Sequence, residues 1–364
     1  MNRFRVTLDK NFSSSYEIYI GYQIMDRIPL ILSKNGWARR YFLFLDDRVD
    51  ALHGDRVLAI LKERGLAAEK IVSPAGEDFK NIHTCIELAE RLLEQGADRT
   101  SALIALGGGV VGDLTAFVAS IYMRGIPHVQ VPTTLLGQVD SSIGGKTGID
   151  LPSAKNLLGT FAQPRAVFID LAFLETLPAR EFTNGLAEIV KYGIIEDPGL
   201  LDDLERGVEA FRRGEPAPLE RIITQCCRIK KGIVESDETD RGLRRILNFG
   251  HTIGHAIEAE SGFSVSHGEA VAMGMCGAAL LSERMNYLSS EDRERVIAAI
   301  GLAGLPVCIP ASLDTEGILE GLRRDKKKEG DTVRFVLLKK PGMPFINGGV
   351  SSTLVRETIE ALKA

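Results

Sequence analysis

Three of the chain's six histidines fall in "NFGHTIGHAIEAESGFSVSHGE", from Asn248 to Glu269. His251 and His255 are four residues apart, so on a helix their imidazoles share a face and can bind one metal ion. The interval between them carries no glutamate, which separates it from the H-E-x-x-H pattern of metalloproteases. His267 follows after a break containing Gly262, and Glu258, Glu260 and Glu269 lie close by. Spacing alone leaves a metal centre and a set of core or capping histidines both open. In "GLAEIVKYG", Glu188 and Lys191 are three apart on another predicted helix, where a working pair and a surface ion pair look the same.

A second chemistry is suggested by "LGGGVVGDL", Leu106 to Leu114. Glycines between a strand and a helix let the backbone approach a ligand and aim N–H groups at phosphate oxygens, with the helix dipole in support. A tight packing turn needs the same residues, so that reading also stands. The pattern is not G-x-G-x-x-G with an acid about twenty residues on, so the usual dinucleotide fingerprint is missing. "DSSIGGKTG" is not a P-loop either, because Asp140 stands where the first glycine belongs. Lys146 there reads as a point charge for a small anion or as a solvated loop lysine. "RRDKKKEGD", Arg323 to Asp331, reads as a solvated basic turn.

These residues need a scaffold. "YFLFLDD", "SALIAL", "HVQV" and "AVFID" read as strands. "NIHTCIELAERLLEQG" and "GDLTAFVASIY" read as helices between them, an alternation that predicts a mostly parallel, Rossmann-like α/β sheet. Beyond "LETLPARE" the signals turn helical, through "GLAEIVKYGII", "LERIITQCCRIKKGIVESD", "GHTIGHAIEAES" and "GEAVAMGMCGAALLSERM". One later strand is expected in "VRFVLL". The boundary is placed near Pro178, giving an α/β domain over 1–178 and a mainly α-helical domain over 179–364.

The chain has 364 residues, 45% hydrophobic and 26% charged, with a net charge of −5. Two soluble domains are the expectation, and dispersed Lys and Arg speak against nucleic acid as the main partner. No apolar run approaches the roughly eighteen residues of a membrane span. The first residues lack the apolar centre of an export signal. The five cysteines form no C-x-x-C pair, which fits reduced thiols and a cytoplasmic location.

Taken in order, "PAGEDFK", "LGGGVVGD", "YMRG", "QVPTTLLGQVDSSIGGKTGID", "KNLLGTFAQP", "GLAEIVKYG", "KKGIVESDE", "LNFGHTIGHAIE", "HGEAV" and "DKK" resemble the 3-dehydroquinate synthase family of sugar-phosphate cyclases. The resemblance implies an N-terminal NAD-binding domain, a C-terminal metal-binding domain and an active site between them. It implies that Glu188, His251 and His267 bind zinc or cobalt, with His255 given to substrate contact and proton handling. For NAD it implies Asp46, Glu77, Lys80, Gly109, Val110, Val111, Gly112, Asp113, Thr133, Thr134, Lys146, Lys155, Phe173, Leu174, Glu175 and Thr176. For substrate it implies Asp140, Lys146, Asn156, Lys230, Arg244, Asn248, His255 and Lys326 or Lys327, and Arg124 reaching across a homodimer interface. Catalytic roles would fall to Lys146, Lys191, Arg244, Asn248 and His255. Arg48 stands where the family often has an asparagine near the adenosine, and "DKKKEG" is about a residue shorter than in many relatives.

The implied reaction converts 3-deoxy-D-arabino-heptulosonate 7-phosphate to 3-dehydroquinate and phosphate in the shikimate pathway. A transient oxidation by NAD makes phosphate elimination feasible, and the hydride then returns, so NAD ends unchanged. A metal-dependent polyol or glycerol dehydrogenase, a sister cyclase and a non-catalytic sensor are the rival readings. A dehydrogenase has no use for Lys146, Asn156, Lys230 and Arg244 together, since its substrates lack carboxylate and phosphate.

Overall fold

The structure, a computed structural model, describes residues 15–151, 154–213, 215–329 and 333–364. Its strands are β1 (Glu17–Gly21), β2 (Arg40–Asp46), β3 (Ala68–Ser73), β4 (Ser101–Gly107), β5 (His128–Pro132), β6 (Ile149–Leu151), β7 (Ala154–Leu158), β8 (Ala166–Asp170), β9 (Phe335–Leu338) and β10 (Pro344–Asn347). Six of them form one sheet in the order β1-β8-β5-β4-β2-β3. Every pairing in it is parallel. β4, β5 and β8 are buried along their whole length, which is why β4 and β8 appear in the sequence as largely apolar runs, while β5 buries His128 and Gln130 beside its valines. Tyr41, Leu43 and Leu45 pack on one face with Ile28, Leu32 and Val57. Phe42 and Phe44 pack on the other with Leu88, Leu92 and Leu114.

The sequence reading missed β1 and β3, the two edge strands, whose partial exposure leaves them short of apolar residues. It also missed the short β6–β7 hairpin and β10, the partner of β9. The helix expected from Gly112 begins at Gly109, so part of the glycine loop forms its first turn.

Strand order matters for the site. From β2 the chain moves to β3 on one side, and from β4 to β5 on the other. Such a divergence opens a crevice beyond the carboxyl ends of the strands.

From Ala179 on, the structure is built from helices Ala179–Ile195, Pro198–Arg212, Pro216–Ser236, His251–Glu260, His267–Arg284, Ser290–Leu302, Thr315–Glu329 and Ser352–Ala361. The helix Thr315–Glu329 replaces the basic turn expected at "RRDKKKEGD". Lys326 and Lys327 belong to its backbone, but their side chains lie outside the described residues. One apolar cluster joins Val167 and Ile169 of β8 to Leu186, Ile223, Ile253, Val271 and Met275 of the helices, so the two halves share a continuous core. Among the described residues, no helix is long and apolar enough to cross a membrane.

Candidate active site

Glu188 lies within the helix Ala179–Ile195, while His251 and His267 each open a helix of their own. Gly250, at φ +80°, turns the chain into the His251 helix. The two histidine-bearing helices then pack with their backbones nearly touching. A Cβ on Gly254 would sit 3.0 Å from the Ala270 carbonyl oxygen, and one on Gly274 would run into the carbonyl of Gly250. This close approach puts the His251 and His267 rings 5.3 Å apart. Glu188 Oε1 is 3.5 Å from His251 Nε2 and 3.7 Å from His267 Nε2.

One donor atom from each of the three residues falls within 4.8 Å of the others. The Glu188 carboxylate is buried; the Lys191 ammonium pairs with its Oε2, while Oε1, which faces both imidazoles, has no hydrogen-bond partner. A buried carboxylate oxygen left this way is costly, and an ion between it and the two imidazoles would complete it. With two imidazoles and one carboxylate, the residues fit a divalent metal with positions left for substrate.

Charge in this region is strongly perturbed. Burial pushes the Glu188 carboxyl up, but the Lys191 ammonium and the facing imidazoles outweigh it and hold it at about 2. Burial, then Lys191, keeps His251 well below its usual value and so neutral. Burial also opposes charge on His267, but Glu188 and Glu258 on either side raise it to about 9. Glu188 and Lys191 form an ion pair at 1% and 2% side-chain exposure, so this is not a surface pair.

The three glutamates near the histidines have separate duties. Glu269 closes a capping box with Ser266 and pairs with Arg180 at 3.2 Å. Glu260 accepts from the Asp314 backbone N–H at 3.4 Å. Glu258 faces the imidazoles, its Oε2 3.5 Å from His267 Nδ1. His255 is exposed, its ring 5.4 Å from that of His251 and 6.2 Å from that of His267. His255, Glu258 and His267 also converge closely enough to share an ion.

Beside the cluster lies a group of buried cations. Lys230 Nζ donates to the Asp140 carbonyl oxygen at 2.6 Å and to its Oδ1 at 2.8 Å. Tyr192 OH also donates to Asp140 Oδ1. Burial would raise the Asp140 carboxyl, but Lys230 and Lys191 pull it well below the usual range. Arg244 donates to the Glu238 carbonyl at 2.6 Å and to the Gly144 carbonyl at 3.0 Å, leaving its buried Nε without a partner. Lys146 is half-exposed and paired with Asp240. Asn248 is exposed at the end of the turn leading to Phe249. Arg124 is exposed too, at φ +71°, in a turn that follows the helix Gly109–Ile121.

The other expected residues gather at the carboxyl ends of the parallel strands. Asp46 ends β2 and caps the next turn, accepting from Val49 N at 2.8 Å. Gly108 caps the helix that starts at Gly109, and a Cβ on it would press on Thr134 Cγ2 at 2.9 Å. That bare backbone at a helix N-terminus fits a diphosphate. Val110, Gly112 and Asp113 follow on the first turns, while Val111 turns into the core. Lys80 Nζ bonds Asp113 Oδ2 and Asn156 Oδ1, each at 2.6 Å, so Asn156 sits with the residues expected to meet NAD. Lys155 is 3.7 Å from Glu77. Thr133 N–H donates to the Gly107 carbonyl at 2.9 Å. After β8, Phe173 and Leu174 are buried, Glu175 accepts from Tyr22 OH at 2.6 Å, and Thr176 Oγ1 meets His53 Nε2 at 2.8 Å. His53, Tyr192 and Asp240 had drawn no notice in the sequence, since each acts only through a partner distant along the chain.

Two family models match consecutive stretches: 3-dehydroquinate synthase N-terminal over residues 70–184, and 3-dehydroquinate synthase C-terminal over residues 185–328. The chain belongs to the 3-dehydroquinate synthase family. It is 43% identical over 351 residues to the 3-dehydroquinate synthase of Symbiobacterium thermophilum, covering 96% of this chain and 98% of that one. To the enzyme of Pseudoalteromonas translucida it is 44% identical over 361 residues, covering 99% and 100%. Among solved structures it resembles 2-epi-5-epi-valiolone synthase from Streptomyces hygroscopicus, with NAD+ and Zn2+ bound, at TM-score 0.90 and 27% identity over 99% of both chains. A 2-deoxy-scyllo-inosose synthase complexed with carbaglucose-6-phosphate, NAD+ and Co2+ aligns at TM-score 0.87 and 28% identity over 94% and 96%. A probable glycerol dehydrogenase from Sinorhizobium meliloti, at 18% identity and TM-score 0.65, shares the fold.

Proposed function

We propose that the protein is a lyase that cyclises 3-deoxy-D-arabino-heptulosonate 7-phosphate to 3-dehydroquinate with loss of phosphate, using NAD and a divalent metal. The observation that carries this reading is the meeting of a buried Glu188 carboxylate, whose Oε1 lacks a hydrogen-bond partner, and two imidazoles with the buried cations Lys191, Lys230 and Arg244. A dehydrogenase of simple polyols needs the first group but not the second.

Glu188, His251 and His267 hold the metal, which is zinc or cobalt as in the two neighbouring cyclases. When bound, NAD supplies a reversible oxidation and the metal a Lewis acid that polarises the oxygen being oxidised. The chain's own groups bind and orient. Arg244, with its free Nε, together with Lys146, Lys230 and Asn248, receives the carboxylate and phosphate. His255, exposed to the cleft, moves a proton at the substrate's hydroxyl. Asp46, Glu77, Lys80, Gly109 to Asp113, Thr133, Thr134, Lys155 and Phe173 to Thr176 line the cofactor crevice. We place the domain boundary at Pro178, the residue that caps the helix Ala179–Ile195.

We further propose a homodimer in which Arg124 reaches the partner's site. Its neighbours Ile121 and Met123 are 50% and 37% exposed, and Phe161 is 49% exposed, a patch that assembly would cover. Four of the five cysteines are buried free thiols and the fifth is exposed, which supports a reducing, cytoplasmic setting.

The test is stoichiometric. With NAD and metal present, phosphate should be released over many turnovers per NAD without a matching rise in NADH absorbance. NADH formed mole for mole would establish a dehydrogenase instead, and a product other than 3-dehydroquinate would establish a sister cyclase.

A further inference from the structure

We infer that Glu258 is a positioning residue, which orients His267 for the metal and ties the metal centre to the cofactor side of the cleft. The inference rests on the reading of Glu188, His251 and His267 as the metal ligands.

An imidazole ligand has two nitrogens and a free axis of rotation, so the second nitrogen's partner decides where the first one points. His267 turns Nε2 toward Glu188 at 3.7 Å and Nδ1 toward Glu258 Oε2 at 3.5 Å. Glu258 is only 4% exposed, a depth at which a carboxylate persists only with partners. It follows His251 by seven residues and His255 by three, so all three share one face of the same helix.

Its other oxygen points across the cleft. Glu258 Oε1 is 3.4 Å from Lys155 Nζ, on β7 in the α/β half. The same ammonium is 3.7 Å from Glu77 and 4.3 Å from the centre of the Phe263 ring. One carboxylate and one lysine thus connect a ligand of the helical half to the crevice of the α/β half. An ion that fixes the His267 ring also fixes Glu258 Oε2, leaving Oε1 set for Lys155. Linkage is reciprocal, so metal should change NAD affinity by the factor that NAD changes metal affinity.

The test uses Glu258→Gln, which keeps shape and removes charge. Competition with a chromophoric chelator should show zinc bound roughly 10–100-fold more weakly than by the wild type. The visible absorption bands of the cobalt-loaded protein should shift, a change that a merely structural role would not produce. NAD titrated with and without metal should differ in affinity by about fivefold or more in the wild type. That ratio should fall towards one in Glu258→Gln and in Lys155→Met, while Lys155→Met keeps zinc affinity close to the wild type. Should Glu258→Gln fail to fold, the ratio in Lys155→Met decides. Unchanged zinc affinity and cobalt spectrum in folded Glu258→Gln would overturn the positioning role, and a ratio of one in the wild type would overturn the tether. His267→Ala that binds metal as well as the wild type overturns the ligand assignment itself, a separate result.

Discussion

The α/β wall of the cleft offers main-chain groups, one buried ammonium (Lys80) and partly exposed side chains at strand ends, whereas the helical wall buries Glu188, Lys191, Lys230 and Arg244 together to 5% exposure or less. The consequence is a difference in coupling. On the helical wall buried charges face one another, so that the Glu188 carboxyl is held below its ordinary pKa and the His267 imidazole above it, and Lys230 reaches over to hold Asp140 of the α/β half low as well. On the α/β wall many of the donors are backbone N–H groups at a helix start, which truncating a side chain does not remove. Changes on the helical wall should therefore abolish function, and changes on the α/β wall should grade it.

The largest effect should come from the proposed metal ligands. His251→Ala and His267→Ala should purify metal-depleted and inactive, because too few donors remain to hold an ion in a cleft open to water. His255→Ala should keep its metal and lose turnover by roughly 10²–10⁴-fold, the loss expected for a proton-handling group. Metal analysis beside rates decides between them. An empty site in His255→Ala alone would mean that the helical pair His251–His255 is the chelate.

Next come the cations. Arg244→Ala should cost on the order of 2–5 kcal/mol in substrate use, with NAD affinity kept, since it removes a charge from a desolvated site. Lys146→Ala should cost less, because Lys146 is 50% exposed and already paired with Asp240. Equal losses would show that exposure in the free protein does not rank these residues, and the contrast between the walls would weaken.

A smaller effect is expected at the glycine cap. Gly108→Ala puts a methyl against Thr134 and into the diphosphate cradle. NAD should bind about tenfold more weakly, roughly 1.4 kcal/mol, with zinc affinity unchanged. An unaltered NAD titration would remove this backbone from the cofactor site.

The smallest effect lies outside the cleft. His128, in the central strand β5, is 3% exposed, and its Nε2 has no partner. Burial, with Arg165 in support, lowers it to about 4 from 6.5. Above pH 6.5 the residue is neutral both folded and unfolded. Below it the unfolded chain takes up a proton that the native protein refuses, so stability falls as pH drops from 6.5 towards 4. At pH 5.5 the loss should be roughly 1 kcal/mol. Denaturant midpoints against pH should show this slope in the wild type and a shallower one in His128→Gln.

Much of the scaffold is written in local pattern. The buried strands β2, β4, β5 and β8 stand out because a strand covered on both faces is mostly apolar. The edge strands β1 and β3 do not, because their half-exposed sides admit Glu17, Glu69 and Lys70. The helix Thr315–Glu329 was hidden for a similar reason, since the run of charge from Arg323 carries no apolar periodicity. The motif order from "PAGEDFK" to "DKK" was enough to name the family, which the two family models then matched over residues 70–328.

What tertiary structure alone decided is which charges are buried and which partners they meet. Glu188 and Lys191 look in sequence like any surface pair at i and i+3, and only the packing of three helices takes both out of water. Glu258, Glu260 and Glu269 are equivalent as letters, yet one faces His267, one meets the Asp314 backbone and one closes a capping box. Spacing along a chain sets which residues share a helix face. It does not set what that face is packed against, and in this protein the burial of charge, and with it the chemistry, depends on contacts between residues as far apart as Asp140 and Lys230.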